Sequence, residues 1–312
     1  MATAAVRCGG VTWISRRSST VSKASTQRGS SCDPATRRSS ALVYHLRAVA
    51  EFVYDEDVAL RYDAAVPVEP AEVEFYLALA REAEARGLRT LEIACGTGRI
   101  AVPLAGQGVR LVGLDSSAAM LARAQAKSAG LETVEWIEGD MRSFDIGESF
   151  GLVIIPAGSF QLLLSTEDQL ACLRSIHRHL APEGRLAFEI GNPSIVAMAE
   201  WLTARRGTLQ RRPQRDYRHP GTGRQVLAWG YIEYHPSQQR YIARGVAEEL
   251  DEGGQVVSRS YGSPMELRYL YRYETEHLLA RCDFEVEAVY GDFSKGEFRG
   301  TSADMIWVAR RR

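Results

Sequence analysis

The chain lacks any apolar run approaching the roughly 18 residues that a membrane-crossing helix needs, so no span and no membrane partner are expected. It also lacks a surplus of either charge. Its 38 Lys and Arg against 39 Asp and Glu give a formal net charge of -1, which removes the electrostatic case for nucleic acid as a partner. The five cysteines, Cys8, Cys32, Cys95, Cys172 and Cys282, are odd in number, widely spaced and without a C-x-x-C pair. That pattern argues against a disulfide framework and a thiolate zinc site, and makes a reducing cytoplasm the expected compartment.

Acids are missing from residues 1–40 apart from Asp33, whereas Ser, Thr and Arg are frequent there. Such a stretch cannot bury a core and reads as a disordered or targeting-like tail. The targeting reading would replace the cytoplasm with an organelle.

From Ala41 onward, helical and strand signals alternate. Val73, Tyr76, Leu77, Ala80 and Ala83 share a helical face that Gly87 ends. Strands follow at Thr90–Ile93, Val109–Leu114, Val134–Glu138, Leu152–Ile155 and Arg185–Ile190. Helices fall between them over 99–107, from Ser116 or Ser117 to about 129, and over 167–180. Repeated strand and helix units predict an α/β, Rossmann-like, doubly wound and mostly parallel sheet. After Glu200 a basic loop with Arg205, Arg206, Arg211, Arg212, Arg215 and Arg218 leads into four strand-like runs, 225–234, 240–250, 255–261 and 265–271. Turn signals at His235-Pro236-Ser237 and Asp251-Glu252-Gly253-Gly254 make these antiparallel. The expected organisation is a cofactor-binding domain of residues 41–204 and 272–312, interrupted by an antiparallel insertion, 205–271.

The chemistry concentrates in "LEIACGTGRIA", where Gly96, Gly98 and Ala101 satisfy the dinucleotide fingerprint G-x-G-x-x-G/A between a strand and a helix. Asp115 ends the next strand, where a carboxylate can accept from both hydroxyls of a ribose. NAD and S-adenosylmethionine both use such a pair. Glu92 before the turn and Asp140 after the third strand separate the two.

The stretches "LEIACGTGRI", "LVGLDSSAAMLARA", "VEWIEGDMRSFD", "FGLVIIPAGSFQLL" and "CLRSIHRHLAPEGRLAFEI" resemble, in order and spacing, the class I S-adenosylmethionine-dependent methyltransferases. The ending "RYLYRYETEHLLARCDFEVEAVYGDFS" with "ADMIWVARR" is similar to small-molecule members, including sugar N,N-dimethyltransferases. The resemblance implies S-adenosylmethionine as cofactor. It places Glu92, Ala94, Gly96 and Gly98 at the methionine part, Asp115 with Ser116 at the ribose, and Asp140 with Met141 at the adenine. It also implies an N-terminal aromatic over the cofactor, Tyr62 in preference to Tyr54. Pro156 to Gln161, the loop after the fourth strand, should face the cofactor's methyl, because ligands in open α/β sheets lie at the carboxyl ends of the strands. Ala94 and Asp283 depart from the family, which more often has glycine at both places.

The expected reaction is methyl transfer to an amine or hydroxyl of a small molecule by in-line displacement. Asp292 and Gln161 are the candidate catalytic groups, and Ser159, Phe160, Tyr231 and Phe293 the candidate acceptor contacts. His177 and His179 read as surface residues at a helix C-terminus, Cys95 as a small packing group, and no metal is assigned. Two other classes stay open: a non-catalytic S-adenosylmethionine-binding or interaction protein, and an NAD-dependent oxidoreductase. The second lacks its usual Y-x-x-x-K arrangement, since Lys127 and Lys295 are unsuitably placed.

Overall fold

The computed structural model describes residues 53–203 and 209–312, together with two short strands, β1 (Ala5–Cys8) and β2 (Val11–Ile14), that pair antiparallel. That pair departs from the expectation of an unstructured 1–40. Val6, Val11, Thr12 and Ile14 are branched residues suited to strands. The remainder of that segment, with the tail and targeting readings, lies outside the described residues.

Helix α1 (Glu56–Ala65) starts where the Asp55 carboxylate accepts the Val58 N–H at 2.9 Å. Helix α2 (Pro70–Glu84) takes Pro70 in its first turn, where a missing N–H costs nothing. Gly87, at a φ of 75°, then turns the chain into β3 (Thr90–Ile93). Next come α3 (Ala101–Gly106), β4 (Leu111–Asp115), α4 (Ala118–Lys127) and β5 (Val134–Glu138). Ser117 caps α4 by accepting the Met120 N–H at 3.2 Å. Strand β6 (Phe150–Ile155) is buried throughout, and α5 (Thr166–His179) is capped by Ser165. Strand β7 (Leu180–Gly191) and α6 (Ile195–Thr203) complete this part.

Short strands β8 (Gln210–Arg211) and β9 (Tyr217–Arg218) flank the long hairpin of β10 (Gln225–His235) and β11 (Arg240–Leu250). Strands β12 (Val256–Tyr261) and β13 (Met265–Arg268) both pair with β11. The chain returns through α7 (Arg272–Ala280) to β14 (Phe284–Tyr290) and β15 (Asp304–Arg311).

The main sheet runs β14-β15-β7-β6-β3-β4-β5. Its five strands from β7 to β5 are parallel, and β15 is antiparallel to both neighbours. Strand alternation divides the core between two faces. Val153 and Ile155 pack with Leu173, Ile176 and Leu279 on one, while Leu152 and Ile154 pack with Phe75, Leu79 and Leu104 on the other. The second sheet is antiparallel, as the turn signals predict.

Three local expectations need correction. Helix α3 has six residues and starts at Ala101, not Arg99, because the backbone stays in a turn through Ile100. It is too short for its N-terminus to serve as an anion site. His179 is buried, not a surface group: its Nδ1 lies 2.8 Å from the Ser175 carbonyl, and its Nε2 accepts the Ile146 N–H at 3.2 Å. His177 is half-buried against Phe284, and burial lowers its pKa.

Candidate active site

A cleft of about 540 Å³ opens at the carboxyl ends of β3, β4, β5 and β6, the usual ligand position in an open α/β sheet. The four segments leaving these strands supply Ala94 and Gly96, Asp115 and Ser116, Gly139 to Arg142, and Ser159 with Leu162, Leu163 and Leu164. Tyr54, just before α1, and Tyr62 on it close the cleft from one side, and Pro264 and Glu266, at the start of β13 in the second sheet, from the other.

Asp115 anchors the site. Its carboxylate accepts the Gly96 N–H at 2.7 Å and the Ser117 N–H at 2.8 Å, which fixes two turns around one side chain. Each oxygen retains acceptor capacity. Burial raises its pKa, against backbone donors that lower it.

The glycine turn divides its labour. Gly96 has a φ of 55° and lines the cleft; a Cβ there would stand 3.1 Å from Met120 Cε. Gly98 does not line it. A Cβ on Gly98 would meet Trp136 at 2.7 Å and Val102 at 2.8 Å, so this glycine serves packing between turn and sheet. Ala94 holds a left-handed φ of 53°, a conformation that costs an L-residue roughly 1–2 kcal/mol and that glycine adopts freely. Asp283 has the same property at 58°, which explains both family glycines.

Glu92 stands behind the turn and is not part of the cleft wall. It is 2% exposed, and its Oε2 has no hydrogen-bond partner. Burial pushes its pKa from 4.5 to about 8, opposed by Arg99 and reinforced by Glu72 and Asp115. Arg99 is committed elsewhere, donating to both Glu72 oxygens at 2.6 Å in a buried pair.

Helix α1 is tied down at three points. Asp63 accepts the Thr97 hydroxyl at 2.5 Å and pairs with Lys127 at 2.8 Å, and Ser117 Oγ donates to the Tyr54 carbonyl at 2.6 Å. The Tyr54 and Tyr62 rings meet edge-on at 6.2 Å, and burial raises both phenol pKa values. Both therefore line the cleft, where the resemblance favoured Tyr62 alone. Nothing in the sequence marks the Asp63 tether, whose partners lie 34 and 64 residues away.

On the far side of Asp115, Met141 lines the wall and Asp140 is held by Arg142, through Nε at 3.0 Å and the backbone N–H at 2.8 Å. This donor lowers the Asp140 pKa. Arg142 Nη1 also reaches within 3.6 Å of Asp168.

Several expected contacts do not reach the cleft. Asp292 is exposed, and its Oδ1 accepts from Ser294 and Gly296, shaping a surface turn. Phe293 packs against Phe75 and Tyr76, and Phe160 against Phe188. Tyr231 lies on β10 opposite Arg244, away from the wall. Pro156 is buried, with its carbonyl accepting the Ser159 hydroxyl at 2.8 Å. Ser159 itself does line the cleft.

Gln161 is fully buried, and both ends of its amide are used. Its oxygen accepts the Gly191 N–H at 2.9 Å, and its nitrogen donates to the Arg268 carbonyl at 3.1 Å. It is a positioning residue, not a catalytic one. Gln169 and Arg240 donate to the carbonyls of Leu163 and Leu164, at 3.0 and 3.3 Å. The wall after β6 is thus fastened by its own Gln161, by Gln169 of α5 and by Arg240 of the second sheet.

Of the basic loop, Arg211 pairs with Asp216 at 2.5 Å and Arg218 donates to the Gly223 carbonyl at 3.0 Å; Arg205 and Arg206 lie outside the described residues. Cys95 is buried, with its thiol pKa pushed well up by burial, which fits a packing role. Among the described residues, no cluster could hold a metal ion, and no helix is long and apolar enough to cross a membrane.

Residues 90–184 match the model of a family described as a methyltransferase domain. The cypemycin N-terminal methyltransferase of a Streptomyces species is 30% identical over 142 residues, covering 46% of this chain and 58% of the relative. The chain spans about half the length of the curated relatives it matches, or less. The solved CcbJ methyltransferase of Streptomyces caelestis aligns with a TM-score of 0.65 at 23% identity, covering 83% of this chain and 99% of the other. A sugar N-methyltransferase from a Streptoalloteichus species aligns with a TM-score of 0.60 at 24% identity, covering 91% and 100%. The fold is shared over nearly the whole of these two proteins and most of this chain.

Proposed function

We propose that this chain transfers a methyl group from S-adenosylmethionine to an amine of a small molecule; residues 90–184 match a methyltransferase domain family, and the fold is shared with the solved CcbJ methyltransferase. The observation that carries this reading is the Asp115 carboxylate, fixed by the Gly96 and Ser117 amides at the base of the cleft. It fits a ribose diol. Ser116, Met120 and Met141 with Asp140 offer a partly apolar slot with one acceptor, suited to adenine. The left-handed turn through Ala94 and Gly96 leaves backbone space for the methionine part, with the unpartnered Glu92 oxygen behind it. Tyr54 and Tyr62 cover the cleft and exclude water.

When bound, the cofactor supplies an electrophilic methyl carbon on a sulfonium. The chain's contribution is placement: orientation of two reactants is worth on the order of 7–11 kcal/mol, and no buried triad is required. The fastened wall from Ser159 to Leu164 is where the acceptor's lone pair would be aimed. An amine is preferred to a hydroxyl because one similar protein is named a sugar N-methyltransferase and another is named for the N-terminus of cypemycin, a chain end that carries an amine. A small molecule suits a cleft of this volume.

The test is calorimetric titration with S-adenosylmethionine and, separately, NAD, on the wild type and on Asp115→Ala. Binding of S-adenosylmethionine alone, lost in the variant, supports the reading. Binding of NAD alone refutes it.

A further inference from the structure

We propose that the acceptor is a cationic amine on an apolar body free of phosphate, and that Glu266 selects it. The inference rests on the cofactor reading above. The charged groups lining the cleft are Asp115, Asp140, Asp168 and Glu266 against a single cation among the described residues, Arg142. Arg142 is already spent, since it holds Asp140 through Nε at 3.0 Å and approaches Asp168 at 3.6 Å. A phosphate or carboxylate on the acceptor would therefore lose its water and meet carboxylates, with no uncommitted guanidinium in the wall to replace the lost hydration.

The other half of the argument is the body of the acceptor. Leu162, Leu163, Leu164 and Pro264 form an apolar wall, and Glu266 is its carboxylate, carried on β13 two residues after Pro264. Arg240 stands behind this edge. Its Nη1 engages Glu266 Oε1 at 3.1 Å and its Nη2 donates to the Leu164 carbonyl at 3.3 Å, so one side chain fixes both the carboxylate and the wall. Glu266 keeps a quarter of its side chain exposed, which leaves room for a second partner.

Even with Arg240 counted, four carboxylates face two guanidiniums, and a cofactor carrying one net positive charge leaves an excess of negative charge. A cleft lined mostly by one sign with low-dielectric walls concentrates the opposite ion. An ammonium with an alkyl or aryl tail meets both requirements: Glu266 holds it until its proton passes to water at the open cleft, and the freed amine lone pair then takes the methyl group while the sulfur keeps the electron pair of the broken C–S bond.

The experiment uses the full chain loaded with S-adenosylhomocysteine and compares three probes of one chain length, n-hexylammonium, n-hexanol and n-hexyl phosphate, by calorimetry or ligand-observed NMR. Hexylammonium should bind at least tenfold tighter than hexanol, and hexyl phosphate more weakly than hexanol. Glu266→Gln should cut the ammonium's advantage to under threefold, with S-adenosylhomocysteine affinity as the control for an intact cofactor end. If that variant does not fold, salt supplies the second readout: raising it from about 0.02 to 0.5 M on the wild type should shrink the same advantage. Equal or tighter binding of hexyl phosphate, no discrimination among the probes, or a preference indifferent to both Glu266 and salt overturns the proposal. Failure of the wild type to bind S-adenosylhomocysteine refutes the cofactor reading instead, a distinguishable result.

Discussion

Replacing Glu92 by Gln should stabilise the ligand-free protein at neutral pH and leave it unchanged in mild acid. The carboxyl lies 2% exposed with Oε2 unpartnered, and burial raises its pKa from 4.5 to about 8. Between those two pH values the unfolded chain releases the proton while the folded chain keeps it. The unfolded state then binds fewer protons, so stability falls as pH rises, by about 1.4 kcal/mol per pH unit, and levels off near pH 8. At pH 7 the loss is on the order of 3 kcal/mol. Gln keeps the shape of the protonated acid and does not titrate. Urea unfolding of wild type and Glu92→Gln at half-unit steps from pH 5 to 8 isolates this group, because every other carboxylate cancels in the difference. The stability difference should start near zero and grow to roughly 3 kcal/mol at pH 7, a rise in Tm of about 5–10 °C. A difference that is flat with pH, or a Gln variant less stable at pH 7, would refute the assignment of Glu92 as a buried neutral acid.

Glu72→Ala should cost about 3–5 kcal/mol by stranding the buried Arg99, whereas Glu72→Leu combined with Arg99→Met should recover most of that loss in the same unfolding assay. Asp63→Asn should loosen α1 over the cleft and weaken S-adenosylmethionine binding roughly fivefold or more, about 1 kcal/mol, chiefly through faster release in stopped-flow displacement. Asp292→Ala should lower Tm by a few degrees through its surface turn, roughly 1 kcal/mol, while leaving turnover within twofold; a hundredfold loss of rate would restore it as a catalytic candidate.

Strands bounded by clear turn signals were the most legible parts of this fold. Thr90–Ile93, Val134–Glu138 and Arg240–Leu250 run to the residues that the apolar patterning and turn signals mark. Boundaries moved where one residue answers to a distant neighbour. Strand β7 begins at Leu180 because Leu180 pairs with Phe150 before the irregularity at Pro182-Glu183-Gly184, where Glu183 takes a φ of 59°. Ala94, Gly96, Asp115, Ser116, Asp140 and Met141 line the cleft where the local motifs place them, because each sits at or just past a strand's carboxyl end. Glu266 and Leu162 to Leu164 belong to segments about 100 residues apart in sequence that only the second sheet's position brings together. Gly98 and Phe160 misled for a related reason: a fingerprint glycine and a loop aromatic look alike whether they face a ligand or, as here, Trp136 and Phe188.

The fastening of the wall after β6 also bears on how this protein can diversify. Gln161, with no exposed surface, gives its amide nitrogen to the carbonyl of Arg268, and the carbonyl of Leu164 takes its donor from Arg240. Excising the antiparallel sheet would orphan these buried groups at the moment the wall lost its support. The insertion is therefore not an exchangeable cassette. New acceptor preferences are reached more readily by single substitutions along Leu162–Leu164 and Pro264–Glu266, while the joints beneath them stay constant.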